Sequence, residues 1–249
     1  EGGVRAQEQD QGDHKAACGF HGFSICSAGR NIHMSSDCRL PLRLRAGSVT
    51  MPGMDRRRYE EFTALRDAFR EKVRLWTAAV PELRDLQERL RAARGYDDYV
   101  VETPVVYNRA LDDIGPESRP RWILIADNPG KQEQKSANLR YLVGQSGKLA
   151  EGFFRRELDT DFRRDVLIVN KTPVHTPKTA ELALLRNLDA SGAVEALLAE
   201  SQAWMALFAR ALHEALGVPV WISGRSELKP KGIFGSWFRE YSRLYREAP

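Results

Sequence analysis

Three short segments, Trp122 to Ala126, Asp165 to Asn170 and Val218 to Ser223, are dominated by apolar residues and stop at polar or turn-forming ones. They are too short for helices and lack the alternation of a half-exposed strand, so they read as strands buried on both faces. Helical patterns lie between them. Strand–helix–strand–helix–strand order restricts the fold to a parallel sheet, because parallel strands need crossovers and both sheet faces must be covered. The expected class is α/β, a three-layer αβα sandwich around a short parallel sheet. In such sheets ligands bind at the carboxyl ends of the strands. The first run ends at Asp127-Asn128-Pro129-Gly130, so a site is expected there, although these four residue types also suit a plain turn.

The remaining elements follow from periodicity. Tyr59, Phe62, Leu65, Phe69, Val73 and Trp76 recur at helical spacing up to Pro81, and Leu83, Leu86 and Leu90 continue a second helix to Gly95. Tyr99 to Asn108 reads as extended, with Pro104 favouring a sheet edge. Leu149, Phe153 and Leu158 mark a helix from about Ser146. Leu197 to Leu216 mark a long one closed by Gly217, and Trp237, Tyr241 and Leu244 a last one. Residues 1–54 show no such period and read as a disordered leader or upstream extension. Residues 55–249 form the domain, with N-terminal helices over 55–97 and the core over 98–249.

Composition narrows the function. All three cysteines, Cys18, Cys26 and Cys38, fall in the leader, so the body can build neither disulfide nor thiolate metal site. The interleaved His14, His21 and His33 complete no familiar zinc spacing. No cofactor is expected. No run approaches the ~20 apolar residues of a membrane span, and an intracellular protein without membrane contact is expected. The net charge is +4. Nine basic residues, Lys131, Lys135, Arg140, Lys148, Lys171, Lys178, Arg225, Lys229 and Lys231, fall on loops that the sheet brings to one edge. A rim that tracks a polyanion backbone is the reading.

Several chemistries are excluded. Gly144 to Lys148 (GQSGK) has two residues where a phosphate-binding nucleotide loop has four, and Leu149 where that loop needs Ser or Thr. No G-x-G-x-x-G follows a strand, and no serine elbow or paired metal-binding histidines occur. The polar strand ends remain. A carboxylate at Asp127 can orient or deprotonate a water. An asparagine amide at Asn170 offers a donor beside an acceptor, which suits the edge of a pyrimidine such as uracil.

The order strand–DNPG, Tyr141-Leu142-Val143-Gly144, a strand ending in Asn170-x-x-Pro, Thr-Pro, a long helix and a strand ending in Gly224-Arg225 resembles the uracil-DNA glycosylase superfamily over roughly Val105 to Arg225. The closest branches are the single-strand-selective monofunctional one, with G-M-N-P-G, and the thermostable family 4, with G-E-x-P-G. The resemblance implies a monomeric base-excision DNA-repair hydrolase that flips a damaged base out of DNA and hydrolyses its glycosidic bond. Asp127 or Asn128 would position the water. Asn170, Tyr141, Leu142, Pro129 and Gly130 would recognise the base, and Lys131, Ser146, Lys148, Lys171, Lys178, Arg225, Lys229 and Lys231 would hold the DNA backbone. Three departures stand against it. Leu142 replaces the stacking aromatic, the family 4 iron–sulfur cysteines are absent from the body, and the His-Pro-Ser motif on a fourth strand is missing. The last is read as truncation beyond Pro249 or as a divergent relative. A non-catalytic nucleic-acid-binding protein of the same fold and a nucleoside-handling enzyme remain the alternatives.

Overall fold

The computed structural model describes residues 53–246 and, for their backbone alone, 24–27 and 30–32. The cysteine–histidine leader and the expectation of disorder within it lie otherwise outside the described residues. The sheet is built on three parallel strands, β3 (Trp122–Ala126), β4 (Val166–Asn170) and β5 (Val220–Ile222). A hairpin of β1 (Ser24–Ser27) and β2 (Arg30–Ile32) pairs antiparallel with β5, giving the order β2-β1-β5-β3-β4. The chain leaves β3 for β4 on one side and returns to β5 on the other. That reversal opens a crevice beyond the carboxyl end of β3.

Seven helices occur among the described residues: α1 (Arg56–Ala79), α2 (Leu83–Ala93), α3 (Gln145–Leu158), α4 (Phe162–Asp165), α5 (Glu181–Leu188), α6 (Ala193–Leu216) and α7 (Gly235–Arg246). The fold is mixed α/β, as expected. Asp55 starts α1 by accepting a hydrogen bond from the Arg58 N–H, and Gly217 ends α6 at a positive φ of 65°. In-register strand residues project to the same face. Trp122 and Trp221 therefore share a face, on which they meet Phe153 and Phe154 of α3. On the opposite face Lys171 lies against Phe234 and Trp237 of the α7 segment. There α6 packs on α7, and α1 packs on α6 through Phe69 and Trp76 against Trp204 and Phe208. No helix among the described residues is long and apolar enough to cross a membrane.

Three local expectations are corrected. Tyr99 to Asn108 forms no strand and contributes a single antiparallel bridge, Val105 to Val174. Side chains occupy its backbone instead: Gln134 accepts from the Glu102 and Thr103 N–H groups, and Gln87 donates to the Pro104 carbonyl. Leu149 does not mark the buried stripe of α3. It is exposed, while Gly147, Ala150 and Phe154 face inward. Helix α5 emerges where only a loop was expected. Its N-cap position is Ala180, which has no side chain to announce a start.

Candidate active site

A cleft of about 660 Å³ lies at the carboxyl end of β3, lined by Ala126, Asp127, Asn128, Gly130, Glu133, Leu142, Ser146, Lys178 and Gly224 among others. Its floor is the end of the sheet. One wall is the start of α3, where Gly144 caps the helix without a side-chain hydrogen bond, so the first N–H groups and the positive end of the helix dipole face the cleft region. Gly147 sets how close that wall comes. A Cβ there would overlap the Leu142 carbonyl. Gly147→Ala is expected to cost about 3 kcal/mol, read from urea unfolding; a loss below about 0.5 kcal/mol, the usual scatter of neutral surface changes, would show that the approach is not tight.

The two loops after β3 and β4 are stapled together. The Pro129 carbonyl accepts from the His175 ring Nδ1–H at 2.9 Å and from the Thr176 N–H at 3.2 Å. Asn128 donates its amide to the Thr176 hydroxyl at 2.9 Å. His175 is thus a fully buried structural group, held neutral by burial, with its pKa down at about 4 against the opposing pull of the Pro129 hydrogen bond.

Asp127 projects into the same cleft. Its Oδ1 is 2.5 Å from Lys171 Nζ, and its Oδ2 accepts from the Thr179 hydroxyl at 3.3 Å. Gly224, at a positive φ of 71°, packs against this carboxylate so closely that a Cβ would run into it. A second carboxylate escaped the sequence reading. Glu133 lines the cleft although it is buried, and it binds the backbone N–H groups of Gly130, Leu142 and Val143. Burial pushes its carboxyl above the ordinary range, opposed by those N–H groups and by Arg163. Its place three residues after Gly130 was the available signal, since an acid at that spacing can reach back to a turn N–H.

Asn170 is the least satisfied group near the site. It is buried, and neither its Oδ1 nor its Nδ2 has a hydrogen-bond partner. It is the register partner of Ala126, which forms part of the cleft floor, and so projects to the same sheet face. Asn170 does not itself line the cleft.

The other expected site residues separate. Asp127, Asn128, Gly130, Lys131, Leu142, Ser146 and Lys178 line the cleft together. Leu142 does so at a positive φ of 55°. Pro129 is buried beneath it, serving through its carbonyl. Tyr141 is not a stacking platform. It is buried, with its hydroxyl donating to the Val106 carbonyl at 2.7 Å. Lys171 is not a DNA-backbone contact either, being 0% exposed. Lys131 is drawn to Asp98 at 2.7 Å over the rings of Tyr96 and Tyr99, and Arg140 pairs with Asp113 at 2.6 Å. Lys148, Lys178, Arg225, Lys229 and Lys231 remain exposed. The basic rim is therefore thinner than the sequence suggested. Among the described residues no cluster of His, Cys, Asp and Glu is placed to hold a metal ion. No protein-family model, curated protein or solved structure matches the chain.

Proposed function

We propose that the protein is a DNA glycosylase that hydrolyses the bond between deoxyribose and uracil or a related base, on a uracil-DNA glycosylase-like fold. The unpartnered Asn170 amide carries the reading. A buried amide with neither atom bonded costs about 1–3 kcal/mol per lost partner, and such groups are rare in folded proteins. A pyrimidine edge, with its N3–H donor beside its O4 acceptor, would satisfy both atoms at once. Docking the base requires a local opening of the floor beside Ala126.

Asp127 is the group that positions the water. Asn128 has already committed its amide to Thr176, whereas Asp127 keeps a carboxylate edge on the cleft. As the C1′–N bond breaks, its electron pair leaves with the base and positive charge develops on the sugar. The Asp127 carboxylate offsets that charge and accepts a proton from the attacking water, whose oxygen bonds to C1′. The α3 N-terminus, Ser146 and Lys178 hold the flanking phosphate.

Incubation with a single-stranded oligonucleotide carrying one uracil is expected to release free uracil and leave an alkali-labile site, with thymine untouched. Asp127→Asn is expected to slow release by about 10²-fold. Binding should weaken with salt in proportion to the phosphates contacted. Folded protein that binds the DNA but releases no base would convert the reading to a non-catalytic DNA-binding protein. Indifference to DNA, with binding of a free nucleoside, would move it to small-molecule chemistry.

A further inference from the structure

We propose that Lys171, sealed behind the cleft, is a positioning residue that holds the Asp127 carboxylate in place. The inference rests on the glycosylase reading for its kinetic consequences, but not for its geometry. Lys171 is 0% exposed, and its ammonium has two protein acceptors, Asp127 Oδ1 at 2.5 Å and the Ser223 carbonyl at 2.8 Å. The rings of Phe234 and Trp237 cover it at 5.1 and 5.8 Å. Its backbone N–H bonds the carbonyls of Ala126 and Asp127. The lysine therefore ties β3, β4, the end of β5 and the approach to α7 into one unit around a single carboxylate.

A lysine so buried is expensive unless it is paired, and the site is built to pair it on one side only. Thr179 takes the other carboxylate oxygen, Gly224 leaves the space that lets the carboxylate sit there, and of the ion pair itself Asp127 lines the cleft while Lys171 does not. Burial holds the Lys171 ammonium below the ordinary lysine range, opposed by Asp127 from the strand end and by Glu227 from the turn before α7, both of which favour its protonated form. A purely structural ion pair would have no need to leave one partner lining a cleft. This arrangement makes the position of the Asp127 carboxylate depend on a residue that no substrate touches.

The test is Lys171→Met in the full chain. With the fold retained, as judged by circular dichroism and a cooperative melt, kcat for uracil release from the oligonucleotide is expected to fall about 10²-fold with KM within about threefold. The 13C signal of the Asp127 carboxylate, assigned by its loss in Asp127→Asn, should shift and broaden as the carboxylate loses its fixed partner. Unchanged kcat in the folded variant would overturn the proposal. If the wild type releases no base, the glycosylase reading fails separately, and the carboxylate signal decides: unmoved in Lys171→Met, it also sinks the positioning role. Should the variant not fold, the wild type decides. A slowly exchanging Lys171 ammonium signal at neutral pH, shifted by the Phe234 and Trp237 rings, supports the proposal, and its absence overturns it.

Discussion

Replacing Asn170 by leucine is expected to make the protein more stable and nearly inactive at once. The two side chains branch at the same carbon, and the leucine methyls would occupy the positions of an amide that has no partner on either atom. Removing two unsatisfied polar atoms from a buried position is neutral or stabilising, by about 1–3 kcal/mol, because nothing is lost in the folded state except the desolvation cost. On the proposed glycosylase reading the same substitution deletes both hydrogen bonds to the base, and losing one such donor costs about 10²–10³-fold in rate. A loss of at least about 10³-fold in uracil release is therefore expected, with a midpoint of unfolding that rises or holds. Asn170→Ala is the control, since it leaves a cavity and should lose both activity and stability. A stability that falls with Asn170→Leu as far as with Asn170→Ala would mean that the amide has partners in solution, and its role as the base reader would go with them.

The second large effect is on stability against pH, and it belongs to His175. Its ring is buried and neutral, with a pKa of about 4 in the folded chain against 6.5 for a free imidazole. Between those values the unfolded chain binds a proton that the folded chain refuses, so stability rises with pH across the window and is lost as pH falls through it. A difference of that size amounts to about 3 kcal/mol by pH 4. Glu133 acts in the opposite sense, because its raised carboxyl pKa makes the folded state the better proton binder in its own range. The comparison must therefore be made by difference. Urea midpoints from pH 7 to pH 4 should fall more steeply for the wild type than for His175→Gln, and parallel curves would place the imidazole in water rather than behind Pro129.

The parts of the fold that could be read from the chain are those where one physical signal dominates. Apolar runs located β3, β4 and β5 to within two residues, and Pro219, which has no N–H to give, accounts for the late start of β5. Helix α1 was equally clear, and the glycine stop at Gly217 located the end of α6, although its start at Ala193 precedes the first expected residue, Leu197. Helix α5 was hidden because its N-cap position is Ala180, which offers no capping side chain to mark a start. Within the site, the loop after β3 was legible as a concentration of polar turn residues at a strand end. The fates of Lys171 and Glu133 were not. A lysine or glutamate in a loop is ordinarily solvated, and only the closeness of an opposite charge or of free N–H groups, both products of tertiary structure, makes burial tolerable. Tyr141 misled for the converse reason. Its ring reads as a platform, yet the Val106 carbonyl gives its hydroxyl a partner deep in the core.

The crossing of the chain from β4 past β3 to β5 also sets a timetable. Ser223 closes onto the Ile125 carbonyl from 98 residues away in sequence, one of the longest loops the chain must close and therefore among the costliest in entropy. Until that closure, the segment bearing Asp127 can pair with β4, but Gly224 and the cover over Lys171 are missing. Assembly of the cleft is then a late event, coincident with docking of the last strand and helix. A ligand that binds it can act only on the completed molecule, so substrate or product should slow unfolding without hastening the collapse that precedes it.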